Sequence, residues 1–115
     1  MYLKISTRRR DDVAVIDLSG PITLGENSQS LRDTVRELVT KGERRILLNM
    51  SDVAFLDSSG LAALISSLTA VTRAGGQLKL VNLQRRVTEL IRLTRLTPVL
   101  EAFENEAEAA GSFTV

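Results

Sequence analysis

Ile46-Leu47-Leu48-Asn49-Met50, then Asp57-Ser58-Ser59-Gly60, then an aliphatic stripe at Leu61, Leu64, Ile65, Leu68 and Val71, then Gly75-Gly76 and Leu78-Lys79-Leu80-Val81: residues 46–81 decide the fold. The first run is short and mostly apolar, which predicts a strand at the centre of a sheet. The stripe has helical spacing and stops at a glycine pair. The last run is a second strand. A strand, a helix and a strand in that order predict a parallel pair with a right-handed crossover.

Outward from this unit, the pattern continues. Leu3, Ile5 and Thr7 alternate with Lys4 and Ser6, which predicts a half-exposed strand. Arg8 to Asp12 reads as a charged turn, and Val13–Leu18 as a strand covered on both faces, paired with the first in a hairpin. Leu31, Val35, Leu38 and Val39 mark a helix that stops at Gly42, with Asn27, Ser28 and Ser30 as plausible N-caps and Ser30 with Asp33 resembling a capping box. Val87, Leu90 and Ile91 mark a further helix with Arg85, Arg86, Glu89 and Arg92 outward. Val99–Phe103 reads as a last short strand and Glu104–Ala110 as a short acidic helix. The expectation is a single small α/β domain over 1–115. Its core spans about 3–103 and its acidic C-terminal helix or tail 104–115. A mixed four- to five-stranded sheet carries about four helices.

Composition narrows the function. The 115 residues, 43% apolar, suffice for one core. The chain has no cysteine, which excludes disulfides and thiol chemistry and fits the cytoplasm. The N-terminal residues Met1–Ser6 lack the apolar core of a signal peptide, and no apolar run has transmembrane length. We therefore expect a soluble cytoplasmic protein with no membrane association. The net charge of +1 hides an acidic stretch, Glu101, Glu104, Glu106 and Glu108, behind basic pairs and triplets such as Arg8-Arg9-Arg10, Arg44-Arg45 and Arg85-Arg86. With almost no aromatic interleaving, these basic groups read as solvated surface, and no nucleic-acid partner is expected.

The Asp57-Ser58-Ser59-Gly60 segment stands where a helix should begin. A serine nucleophile needs a base, and there is no histidine. Nucleophile elbow, phosphate loop and dinucleotide fingerprint are all absent. No spaced acidic cluster suggests a metal. The chain is read as a non-enzyme without cofactor. Serine and aspartate are good helix caps, so part of the segment is explained by capping. One cap needs one residue, however, and no Glu or Gln stands three positions after either serine, so the second hydroxyl is left over. A phosphoserine there would bring roughly −1.5 to −2 charges to a helix end that favours anions. The fold would stay and its binding surface would change.

The stretch Val53–Leu61 with the following helix, Gly75-Gly76 and Leu78–Val81 resembles the STAS domain family, and within it bacterial anti-sigma factor antagonists. The resemblance runs from the first strand to about Phe103. It implies a phosphorylation-controlled switch. The unphosphorylated protein sequesters an anti-sigma factor that is a serine kinase, phosphorylation ends the binding, and a serine phosphatase restores it. Carried over, the acceptor is Ser58, with Ser59 as the alternative. The partner surface is Thr23, Leu24, Gly25, Glu26 and Asn27 together with Asp57, Ser58, Ser59, Gly60 and Leu61. A monomer or weak dimer is expected. Two positions depart from the family pattern: Thr23 where many relatives have an acid, and Arg95 where many have glycine after the third helix. Alternatives are a scaffold component of a stress-signalling assembly that does not switch, and a module binding a small anionic ligand such as a nucleotide.

Overall fold

A computed structural model describes residues 2–113; Met1 and the end of the expected tail, Thr114 and Val115, lie outside the described residues. Strands β1 (Lys4–Arg10), β2 (Val13–Ser19), β3 (Arg45–Asp52), β4 (Gln77–Val81) and β5 (Ala102–Phe103) form one sheet in that order, so β3 is central as expected. The β1–β2 hairpin is antiparallel, and β2, β3, β4 and β5 run parallel to one another. Helices α1 (Glu26–Thr40), α2 (Ser58–Arg73) and α3 (Arg85–Leu93) bury Leu31, Val35, Leu64, Val71, Val87 and Ile91 against one face. The other face is smaller. There Val13, Val15, Leu47 and Val81 lie under α4 (Glu106–Gly111), which contributes Ala109. Both faces of β2 and β3 are therefore covered, which is why those strands read as continuous apolar runs.

Four expectations need correction. Arg8–Arg10 are the end of β1, and the turn is confined to Asp11-Asp12. The arginines persist in the strand because each finds an acid on its own face. Arg8 pairs with Asp17 (2.7 Å) and Glu106 (2.5 Å), Arg10 with Glu106 (3.0 Å), and Arg9, pointing the other way, with Glu43. The three side chains stay largely exposed, as a solvated surface would be, and through Arg8 and Arg10 the run also ties Glu106, at the start of α4, to the edge strand. The last strand is two residues long, not five, because Val99 and Leu100 both donate to the Leu96 carbonyl and close a turn first. None of Asn27, Ser28 and Ser30 caps α1. They lie inside it, and Gly25, with φ 91°, takes the cap position without a side-chain bond. The acidic C-terminal helix is present but shorter, with Asn105 as its cap through a 3.0 Å bond from the Glu108 amide.

Lys79, in β4, is buried beneath the C-terminal segment. Its Nζ donates to the Ser112 carbonyl (3.0 Å) and hydroxyl (2.9 Å) and lies 4.9 Å from the centre of the Phe113 ring. Among the described residues no helix is long and apolar enough to cross a membrane.

Candidate functional site

The site is made where two loops cross at the carboxyl ends of β2 and β3. The β2–α1 loop and the β3–α2 loop are tied by backbone bonds: Gly20 N to the Asp52 carbonyl (3.0 Å), Ile22 N to the Phe55 carbonyl (3.1 Å) and Asp57 N to the Ile22 carbonyl (3.3 Å). Ile22 and Leu56 pair as a single parallel bridge, both buried. The crossing is tight enough to dictate a residue. A Cβ on Gly60 would lie 2.0 Å from the Ile22 carbonyl oxygen, so only glycine fits the first turn of α2 there.

Asp57 is the N-cap of α2. Its Oδ1 accepts from the Gly60 amide (2.9 Å) and its Oδ2 from the Leu24 amide (3.1 Å). One carboxylate thus starts the helix and fastens the neighbouring loop. These backbone donors, Gly60 first, hold the Asp57 pKa below its ordinary value. With both oxygens occupied and the charged form favoured, Asp57 is a poor base for either serine.

With Asp57 as cap, Ser58 and Ser59 are the first two residues of α2. Ser58 is exposed and Ser59 is half-buried. Neither hydroxyl has a hydrogen-bond partner among the described residues. The second hydroxyl left over by capping is in fact a pair of uncommitted hydroxyls, since the aspartate caps alone. Of the two, Ser58 is the more exposed.

The structure brings the two predicted halves of the surface together, but not all ten residues face solvent. Leu24, Gly25, Glu26 and Ser58 are exposed, and Leu24, at 78%, is a large apolar side chain standing beside the serine loop. Thr23, Asp57 and Ser59 are intermediate. Asn27, Gly60 and Leu61 are buried and serve to place the others. Asn27 Oδ1 accepts from the Leu3 amide (2.8 Å), and its Nδ2 donates to the Thr23 hydroxyl (3.1 Å). The Thr23 carbonyl takes both the Ser28 amide (3.1 Å) and the Ser28 hydroxyl (2.6 Å). Thr23 therefore supplies the bonds that start α1, a local role that needs no acid.

Sequence reasoning missed one part of this surface. Phe55, whose carbonyl takes part in the crossing, and Leu93, at the end of α3, are 51% and 68% exposed and line a groove beside the serine loop. The signal was present: Leu93 falls outside the Val87, Leu90 and Ile91 stripe.

Residues 4–109 match the STAS domain family. The chain is 28% identical over 102 residues to the anti-sigma-B factor antagonist of Bacillus subtilis, which covers 88% of this chain and 91% of that one. The crystal structure of a Thermotoga maritima protein, described as a proposed anti-sigma factor antagonist, superposes with a TM-score of 0.85 at 26% identity, covering 93% of this chain and 92% of that one. The anti-sigma factor antagonist SpoIIAA in its unphosphorylated form superposes with a TM-score of 0.70 at 16% identity, over 93% of this chain and 94% of that one. The phosphorylated form of SpoIIAA, a Bacillus cell fate determinant, gives 0.71 at 19% identity, over 94% and 97%. The last two likenesses concern the fold.

Proposed function

The chain belongs to the STAS domain family, and from its likeness to anti-sigma factor antagonists along nearly its whole length we propose that it is itself one, a protein-binding switch thrown by phosphorylation of Ser58. The observation that carries this reading is the exposed, unbonded Ser58 hydroxyl in the first turn of a helix whose cap is already supplied by Asp57. Replacing the Ser58 proton by phosphate breaks no bond that holds the fold. The new dianion would stand at the favourable end of the helix dipole and against the Asp57 charge. It would change the shape and sign of the surface shared with Leu24, Gly25 and Glu26. A partner docked there would be expelled by bulk and by repulsion.

In this reading the partner is an anti-sigma factor that is also a serine kinase, bound when Ser58 is free. A serine phosphatase resets the switch, and the setting is the cytoplasm. The protein contributes an acceptor and a surface and carries out no catalysis. That SpoIIAA shares this fold in both its phosphorylated and unphosphorylated forms accords with a switch that leaves the fold standing.

The test is intact-mass analysis after incubation with ATP and each anti-sigma-type serine kinase of the source organism, followed by peptide mapping. One phosphate on Ser58 is expected and none on Ser58→Ala. Co-purification should retain the kinase with wild type and Ser58→Ala and lose it with Ser58→Asp. Phosphate mapped to Ser59, or a kinase held equally by all three proteins, would refute the proposal.

A further inference from the structure

Lys79 is a buried charge that the Ser58 surface does not use. On the sheet face opposite α2, one row crosses β2, β3 and β4: Val15 pairs with Leu47, and Leu47 with Lys79. The first two are fully buried aliphatics. The third is a lysine only 5% exposed, whereas Lys4 and Lys41 are exposed. An ammonium in such a row is costly to bury unless it is given partners. Most of its partners come from the segment beyond α4. The Ser112 carbonyl and hydroxyl accept from Nζ, and the Phe113 ring lies closer to it than the Phe103 ring, which is 5.5 Å away. Glu101 stands 3.5 Å from Nζ but is itself largely exposed.

The rest of the C-terminal segment is lightly held. Within α4, Ala109 alone is buried. The other anchor is Glu106, and its arginine partners are partly exposed, so those ion pairs contribute little. Glu104, an exposed bend, joins α4 to β5. Strand β5 is separately fixed to β4, with Leu80 N donating to the Glu101 carbonyl (2.9 Å) and Asn82 N to the Phe103 carbonyl (3.0 Å).

We propose that residues 105–113 are a strap that opens and closes as one unit about Glu104, with Lys79 as its catch. Closed, it covers Val13, Val15, Leu47 and Val81. Opening exposes those side chains but returns the Lys79 ammonium to water, which lowers the cost of opening below that of a wholly apolar row. The strap lies on the face away from α2 and is independent of the Ser58 reading.

The test is amide hydrogen exchange by NMR on the full chain, run beside acetylation of its lysines with an N-hydroxysuccinimide ester. The Ala109 and Ser112 amides, bonded to the Asn105 and Ala109 carbonyls, should share one opening constant once intrinsic rates are removed. That constant should exceed the one for β3 amides by about tenfold or more. Lys79 should acetylate about tenfold or more slowly than Lys4 and Lys41, in proportion to the same opening. Phe113→Ala and Ser112→Ala each take a partner from Lys79 and should raise both readouts about tenfold, with β3 exchange unchanged. Rates graded from Ser112 back to Ala109 would show fraying and overturn the strap. So would α4 amides as protected as those of β3, or Lys79 acetylated as fast as Lys4 and Lys41. Opening unchanged in both variants would overturn Lys79 as the catch.

Discussion

Replacing Arg95 by glycine should make this protein more stable. Helix α3 ends in a Schellman arrangement: the Arg95 amide donates to the Arg92 carbonyl (3.1 Å) and the Leu96 amide to the Ile91 carbonyl (3.0 Å). That closure puts Arg95 in the left-handed region, with φ 61°. The helix thus ends as it would with a glycine at this position, at the cost of holding a side chain in a conformation that disfavours it. The left-handed region costs a non-glycine residue about 1–2 kcal/mol. Glycine gives back about 0.4–1 kcal/mol through its freer unfolded chain. The net gain is about 1 kcal/mol, or about 4 °C in Tm for a domain of this size. The Arg95 side chain is exposed and has no bond or ion pair among the described residues, so little is lost with it. Thermal unfolding of wild type, Arg95→Gly, Arg95→Asn and Arg95→Ala would check this. The expected order is Gly above Asn above Ala, with Ala close to wild type, because alanine keeps the Cβ that causes the cost. If Arg95→Gly unfolds at or below the wild-type temperature, or no higher than Arg95→Ala, the reasoning is wrong.

Gly60→Ala should destabilise by about 3 kcal/mol or more, because its Cβ would overlap the Ile22 backbone oxygen and force the two loops apart; urea unfolding measures the loss, which should exceed that of Gly42→Ala, where a Cβ meets open space. Asp57→Ala should remove both the helix cap and the Leu24 tether, so amide exchange should quicken at Leu24 and Gly60 together while β3 is unchanged. Glu106→Gln tests the tie between the edge strand and α4. The bonds from Arg8 first, and then Arg10, hold the Glu106 pKa below its ordinary 4.5. A depressed carboxylate stabilises the fold above its unfolded value and ceases to do so as pH falls through its folded value. The stability difference between wild type and Glu106→Gln should therefore be constant near neutrality and shrink as pH drops below about 4.5.

Much of this molecule was legible because its signals are local. The parallel core, the stripe of α2 and the glycine stops follow from periodicity and from backbone preferences that act within a few residues. The Asp57–Gly60 segment was recognisable as a helix start and as surplus to capping, because capping is a matter of spacing along one chain. The errors have a common cause. Arg8–Arg10 read as a turn because their acids, Asp17, Glu43 and Glu106, lie up to 98 residues away. Asn27 and Ser28 read as caps because their use by Leu3 and Thr23 depends on the approach of β1 and the preceding loop.

By itself, then, the sequence determined the strand and helix order, the family, and a pair of serines with no base to activate them. Only the tertiary structure decided which residue caps α2, why Gly60 admits no side chain, which serine is the more exposed, and that Phe55 and Leu93 line one groove. Those are contacts between segments distant in sequence. Period and composition report what each stretch prefers, whereas a carbonyl 2.0 Å from a missing Cβ exists only once two loops have crossed.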